Sequence, residues 1–203
     1  MKDWTENDIK LYSQQFNNLN SIVGHSIDQI DFYLKPTDKE LSEQSNMFGK
    51  SLFNGIDIKV GNKFYSVGCR FINSHNGLTI SEGQTTELEF IEEEKSAVTF
   101  DTKIIGQKIK SADIYWMKIP WNEAVGYYPQ EFVIRTEKDF LLISSIEINS
   151  GEVNTEFTDE LLVIESEETA KQLQLGPYGL GDNGRVWFKN FDELNDSDKK
   201  NWL

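Results

Sequence analysis

The sequence predicts an α+β protein, mainly β, in which two repeated antiparallel β units pack into one body with an N-terminal helix and short C-terminal helices. Apolar residues alternate with a period of two over most of the chain, and a stretch beginning at Val23 is echoed by one beginning at Ile105. A helical period is confined to the start of the chain and to short segments near its end. The 203 residues are assigned to a single domain, 1–203. The alternative is two independent α+β subdomains joined near residues 92–104.

The first segment is predicted to be an amphipathic helix. Thr5 followed by Asp8 resembles a capping box, which marks a helix start. The apolar residues that follow recur at steps of three and four, so they lie on one face that packs against the rest of the protein. These residues are Ile9, Tyr12, Phe16, Leu19 and Val23.

From about residue 27 the apolar period changes to two, which is typical of strands. Strands are predicted around residues 30–34 and 56–60. Gly61 and Asn62 then indicate a two-residue hairpin turn, because both residue types tolerate a positive φ. Further strands are predicted at 78–81, 87–91 and 97–100.

An internal echo is the most informative pattern. When residues 23–33 are laid over residues 105–115, Gly24 falls on Gly106 and Ile27 falls on Ile109. With one change of offset, residues 58–64 fall on residues 134–140. The repeat therefore covers approximately 23–91 and 105–165. Since one such unit cannot bury its apolar face alone, two could pair about a pseudo-twofold axis and share a sheet or a core.

The second copy is the more hydrophobic one. Residues 140–143 and 146–148 are predicted to form a central strand covered on both faces, and 160–165 is predicted to be another. A short helix is predicted over 167–175, and Gly176-Pro177 ends it. A strand at 185–189 and a final helix capped within 195–197 complete the chain.

The net charge of −14 restricts the class of partner. A negative field repels nucleic-acid phosphates and anionic membrane surfaces, so basic proteins and cations are the expected partners. Cys69 is the single cysteine, so no internal disulfide forms. The polar amino terminus does not resemble a signal peptide, and no apolar run is long enough to span a bilayer. A cytoplasmic location follows as the expectation.

No catalytic residue, metal ligand or cofactor is predicted. The two histidines, His25 and His75, have no zinc-type spacing around them, and Cys69 lies in a strand-like stretch where a structural thiol is expected. The glycine-rich segment 176–184 follows a helix and lacks the Lys-Ser/Thr pair of a phosphate-binding loop, so it is interpreted as a connection. Acid–base catalysis by a pair of carboxylates remains an alternative. With 34 acidic residues, some pairs lie close together by chance, so the presence of acids neither supports nor excludes it.

A partner-binding surface is predicted from residue types instead. The loop of the second repeat, residues 115–129, is rich in Trp and Tyr, which dominate binding hot spots. Glutamates near residue 90 would steer a basic partner. In the alternative interpretation, Trp116 and Tyr128 simply continue the strands and Trp121 covers the core. The predicted partner-binding residues are Trp116, Trp121, Tyr127, Tyr128, Glu92, Glu93 and Glu94.

In general character the chain resembles the immunity proteins that bacteria carry beside polymorphic or contact-dependent toxins. The resemblance lies in an acidic chain, an amino-terminal amphipathic helix, a β-rich body, aromatic loops and the lack of a catalytic signature. It implies a non-enzymatic protein that neutralises a cognate toxin, often a basic one, by masking its active site or blocking its substrate.

Two other function classes remain as alternatives. One is a small hydrolase that uses scattered carboxylates and a histidine, which requires a pocket where His25 or His75 meets an Asp or Glu. The other is a ligand- or carbohydrate-binding module that uses the Trp- and Tyr-rich loop. The sequence sets no oligomeric state.

Overall fold

A computed structural model confirms a mainly β fold with few helices. It describes residues 6–33, 50–53, 55–72, 75–85, 97–99, 102–121, 124–149, 152–154, 161–180 and 185–187. The described strands form a five-stranded sheet, a six-stranded sheet and a two-stranded ribbon, and every strand pair is antiparallel. Within these ranges no helix has both the length and the apolar character needed to cross a bilayer.

The elements follow the chain in two successive groups. The first group consists of α1 (Glu6–Ile22), β1 (Gln29–Tyr33), β2 (Lys50–Phe53), β3 (Gly55–Val60), β4 (Lys63–Ile72), β5 (His75–Glu82) and β6 (Ala97–Thr99). The second group consists of β7 (Ser111–Trp121), β8 (Ala124–Arg135), β9 (Phe140–Ser145), β10 (Glu147–Asn149), β11 (Glu152–Asn154), β12 (Leu161–Ile164), α2 (Glu167–Gln172), a 3₁₀ turn (Gly176–Gly179) and β13 (Arg185–Trp187).

The two main sheets have the same strand order. The five-stranded sheet runs β5-β4-β3-β1-β6, and five strands of the other sheet run β12-β9-β8-β7-β13 in the corresponding order. The registers correspond as well: Gln29 of β1 lies opposite Lys59, and Ser111 of β7 lies opposite Arg135. The two halves are therefore built on the same antiparallel plan, and β2 is the additional strand of the six-stranded sheet.

The corresponding hairpins share a side-chain contact. The Lys59 ammonium lies 5.5 Å from the centroid of the Phe64 ring, and the Arg135 guanidinium carbon lies 5.0 Å from the centroid of the Phe140 ring. In each hairpin the cation and the ring are cross-strand partners. A cation over an aromatic face is an attractive pairing, so both hairpins are stabilised in the same way.

The two matched stretches hydrogen bond to each other. The Gly24 amide donates to the Ile109 carbonyl at 2.9 Å, and the Gly106 amide donates to the Ile27 carbonyl at 2.7 Å. Each bond is the image of the other, because Gly24 corresponds to Gly106 and Ile27 to Ile109. Both glycines have a positive φ, +87° and +80°, which allows the chain to turn at equivalent points.

Two contacts between equivalent residues mark the pseudo-twofold axis. Ser26 forms an antiparallel bridge with Lys108, which is its own counterpart in the alignment. Cys69 of β4 donates to the hydroxyl of Ser145 at the end of β9, at a distance of 3.3 Å, and these residues also correspond. The axis thus passes between the two halves of one chain.

Helix α1 and both sheets share one large core. Tyr12, Phe16 and Leu19 of α1 are buried in it as predicted, and Ile22, which was not predicted, is buried with them. Val23 packs against this core and is partly buried, and the side chain of Ile9 lies outside the described part of the structure. The strands of both sheets contribute the rest, so the two halves form a single body. A second apolar cluster lies on the other face of the six-stranded sheet, where α2 and the 3₁₀ turn cover it. That cluster contains Tyr115, Val133, Phe140, Leu142, Ile146, Leu162, Ile164, Ala170 and Leu175.

The sheet edges formed by β12 and β5 are closed in different ways. Strand β2 pairs with β12 and closes that edge. At the corresponding place on β5, side-chain amides of α1 bond to the backbone of Ile80. The Ile80 amide donates to Gln15 Oε1, and the Asn18 side chain donates to the Ile80 carbonyl at 2.8 Å. These bonds satisfy backbone groups that an edge strand otherwise leaves unpaired.

Some predicted elements differ from the structure or lie outside it. Residues 115–129 were predicted to be a loop but belong to the β7–β8 hairpin, whose strands run together from Ser111 to Arg135. The short helix after β12 ends at Gln172, before a 3₁₀ turn that starts at Gly176. The predicted strand at 87–91 and the predicted final helix lie outside the described residues.

Candidate partner-binding surface

The structure places three of the predicted aromatic anchors in the interior. Trp116, Tyr127 and Tyr128 have relative exposures of 0%, 2% and 5%. The Trp116 ring lies 5.3 Å from the ring of Tyr12 in an edge-to-face contact, and 5.6 Å from that of Phe16. Trp116 therefore joins α1 to the six-stranded sheet. This placement favours the alternative interpretation, in which Trp116 and Tyr128 continue the strands, because a buried ring presents no surface to a partner.

The remaining predicted partner-binding residues are only partly described. Trp121 is the last residue of β7 and pairs with Ala124, but its side chain lies outside the described part of the structure. Glu92, Glu93 and Glu94 lie outside the described residues. The described residues carry acidic and basic side chains in nearly equal number, so most of the acidic excess belongs to the other segments of the chain.

A half-exposed tryptophan that is not among the predicted partner-binding residues lies at the edge of the six-stranded sheet. Trp187 is 40% exposed and Leu180 is 43% exposed, and they are the large apolar residues with exposed side chains in the described part of the chain. Trp187 belongs to β13, which pairs with β7 and stands at the end of the described strand order. A tryptophan at a sheet edge is a residue type and a position suited to contact with another protein.

A carboxylate adjoins this tryptophan. The Trp187 indole N–H donates to Asp113 Oδ1 at 3.3 Å. The indole face and the carboxylate together attract a cation, since the ring quadrupole and the negative charge act in the same direction. We call Trp187 and Asp113 the edge surface. No sequence spacing marks it, because β13 has only three residues.

Tyr115 lies beside the edge surface and is 7% exposed. It is the cross-strand partner of Trp187 and is two residues from Asp113. Burial is the main cause that raises the pKa of Tyr115 to about 12, and the nearby Asp113 carboxylate adds to the rise. The phenol therefore stays neutral at physiological pH, and Asp113 supplies the negative charge there.

The outer face of the five-stranded sheet contains a buried polar network centred on Asp57, which is 1% exposed. Its carboxylate accepts the Tyr33 hydroxyl at 2.8 Å, the Ser66 hydroxyl at 2.6 Å and the Thr85 amide at 2.9 Å. The Thr85 hydroxyl also contacts it. Asp31 lies directly opposite Asp57 across the β1–β3 pair and accepts the amide of Gln29. With these donors satisfied, the network ties the segment after β5 to the sheet.

Tyr33 shows the effect of this environment on titration. Burial is the largest cause that raises the pKa of Tyr33 above its usual value, followed by the hydrogen bond to Asp57 and the charges of Asp57 and Asp31. The phenol therefore remains a proton donor. The other half has apolar residues at equivalent positions: Val133 corresponds to Asp57 and Leu142 corresponds to Ser66.

A buried carboxylate also ties down the corresponding connection of the second half. Glu131 is fully buried, and its Oε2 accepts the amide of Gly176 at 2.9 Å. Gly176 has a φ of +57°, and an added Cβ would lie 3.0 Å from Leu142 and 3.1 Å from Val133. Glycine is therefore required here, because both the backbone conformation and the close packing disfavour a side chain.

A polar cleft of about 350 Å³ lies at the end of the β8–β9 hairpin. Arg135 and Glu167 form an ion pair in it. The hydrolase alternative required a pocket in which a histidine meets an acid, but no histidine lines this cleft, and His25 is exposed on the turn after α1. Among the described residues, no three His, Cys, Asp or Glu side chains come together to hold a metal ion. The full lining of the cleft is Arg135, Thr136, Glu137, Lys138, Asp139, Phe140, Glu165 and Glu167.

Comparison with known proteins adds no assignment. The sequence matches no protein-family model, and no curated protein or solved structure shows significant similarity to the chain.

Proposed function

We propose that this chain is a non-enzymatic protein-binding protein of the immunity type, which acts in the cytoplasm by binding a basic toxin domain directly. The observation that carries the proposal is the edge surface, where Trp187 is 40% exposed and bonded to Asp113. Exposed tryptophans supply a large rigid contact area at low entropic cost, and they are the most enriched residues at binding hot spots.

The chemistry of the edge surface favours a basic partner. A lysine or arginine of the partner could lie over the Trp187 ring and reach the Asp113 carboxylate at the same time. The net charge of −14 would speed the encounter with such a partner. Long-range attraction and the local contact therefore select the same sign of charge, which supports a toxin domain that is itself basic.

The first experiment is affinity purification of the tagged full-length chain from its native host. We expect one basic protein to co-purify in a salt-sensitive complex. Expression of that protein alone should stop growth, and co-expression of this chain should restore it. Recovery of a partner with no toxic activity would contradict the immunity role.

A matched pair of variants then tests the edge surface. Trp187→Ala should weaken binding by about 2 kcal/mol, which is roughly a 30-fold loss of affinity. Asp113→Asn keeps an acceptor for the indole N–H but removes the charge, so it should weaken binding less and reduce the salt dependence. Glu168→Gln removes one charge from an exposed position on α2 and serves as the control. Equal affinities for Trp187→Ala and Glu168→Gln would show that the partner binds elsewhere.

A further inference from the structure

The interface between the two halves is self-complementary along its backbone. The Ile27 amide donates to the Gln107 carbonyl at 3.2 Å, and the Ile109 amide donates to the His25 carbonyl at 2.8 Å. Because His25 corresponds to Gln107 and Ile27 to Ile109, these bonds are also images of each other. Together with the pair of bonds at Gly24 and Gly106, each half therefore donates two amides and accepts two through equivalent residues.

Such an arrangement has the geometry of a twofold symmetric dimer interface, in which the same patch serves on both sides. The contact continues at Cys69 and Ser145, which also correspond. Only residues 100 and 101 separate β6 of the first half from the described start of the second half at Thr102. A single short connection thus decides whether a half meets the other half of its own chain or that of a second copy.

We propose that two copies of this chain can exchange halves, so that the first half of each chain pairs with the second half of the other. The exchanged dimer repeats every contact of the monomer except those of the connection. The choice between the two forms is then set by concentration. A short connection gives the halves an effective concentration on the order of mM, so the monomer dominates at low concentration and the dimer forms when chains refold at high concentration.

The bridge between Ser26 and Lys108 allows a direct test. The Ile27 and Ile109 amides donate the hydrogen bonds on either side of this bridge. Ser26 and Lys108 are therefore a non-hydrogen-bonded antiparallel pair. Such pairs have Cα atoms about 4.5 Å apart, which is within the range for a disulfide. Both side chains are exposed, so cysteines at these positions leave the core intact.

The experiment uses two full-length chains, both with Cys69→Ser. One also carries Ser26→Cys, and the other carries Lys108→Cys. The two are unfolded together in urea, refolded at increasing concentration, oxidised mildly and separated on a non-reducing gel. We expect a disulfide-linked dimer whose yield rises with concentration and is several-fold greater than in a mixture of chains that were refolded separately.

Two controls make every result informative. A chain with both cysteines should form the disulfide within one molecule at low concentration, and failure to do so would overturn the geometry. A mixture of the Ser26→Cys chain with a Lys138→Cys chain measures disulfides that arise from collisions between exposed thiols. Equal cross-linking of the co-refolded and separately refolded mixtures, or of the Lys108→Cys and Lys138→Cys partners, would overturn the exchange of halves.

Discussion

Replacing Asp57 by alanine removes the acceptor at the centre of the buried network on the five-stranded sheet. The Thr85 amide and the Tyr33 hydroxyl, now 2.9 Å and 2.8 Å from the carboxylate, lose that partner. Ser66 keeps an acceptor, because its hydroxyl also lies 2.6 Å from the Gly83 carbonyl. The variant therefore leaves two or more buried donors without a carboxylate acceptor.

The number of donors left without an acceptor sets the size of the expected loss of stability. A buried donor without an acceptor costs about 1–3 kcal/mol, and the variant leaves at least two such donors. Relief of the repulsion between Asp57 and Asp31, which lie opposite each other, offsets part of the cost. We expect Asp57→Ala to lower the free energy of unfolding by about 3–4 kcal/mol. Asp57→Asn keeps one acceptor oxygen and should cost less.

Equilibrium unfolding in urea at neutral pH measures the effect, provided that the slope against urea concentration stays constant. Asp28→Ala is the matched control, since Asp28 also accepts a backbone amide, that of Gly61, but at an exposed position. The control should cost about 1 kcal/mol or less. If Asp57→Ala were no more destabilising than Asp28→Ala, the network would not anchor the segment after β5 and the reasoning would fail.

Three further predictions concern titration, symmetry and the sheet edge. Because the pKa of Tyr115 is raised to about 12, its neutral phenol should stabilise the fold fully below about pH 10, and this stabilisation should be lost as the pH rises toward 12. Tyr115→Phe should therefore reduce the fall of the urea midpoint between these pH values, and an unchanged dependence of the midpoint on pH would contradict the prediction. Gly24→Ala and Gly106→Ala should each cost about 1–2 kcal/mol, because an added Cβ meets no atom within 4 Å and only the positive φ is penalised; very unequal thermal unfolding shifts would show that the two turns are not equivalent. Gln15→Ala should unpair the Ile80 amide and increase aggregation in light-scattering assays, whereas unchanged scattering would show that the edge is protected by other means.

Much of the fold could be predicted because its signals are local. The period-two alternation marks strands directly, and Gly61-Asn62 marks the turn between β3 and β4, where Val60 lies opposite Lys63. The echo between the stretches at Val23 and Ile105 identified segments that in fact bond to each other. An internal repeat of this kind predicts which segments pair with each other, because equivalent residues meet at a twofold axis.

The candidate site could not be predicted in the same way. Trp116 and Tyr127 have the composition of a binding loop, and only the pairing of β7 with β8 shows that their rings face the core. Trp187 gives no comparable signal, because the exposure of a ring depends on what packs beside it and not on its neighbours in sequence. The burial of Asp57 is equally invisible, since it depends on Thr85, 28 positions away.

The tandem arrangement of the two halves has a consequence for how each can vary. In a dimer of identical subunits, every substitution occurs on both sides of the axis. Here Asp57 and its counterpart Val133 are separate positions of one chain, so one sheet carries a buried hydrogen-bonded carboxylate at this position while the other carries a valine packed in an apolar cluster. Because the halves are joined in one chain, the residues on each outer face can change independently while the backbone hydrogen bonds between the halves are kept.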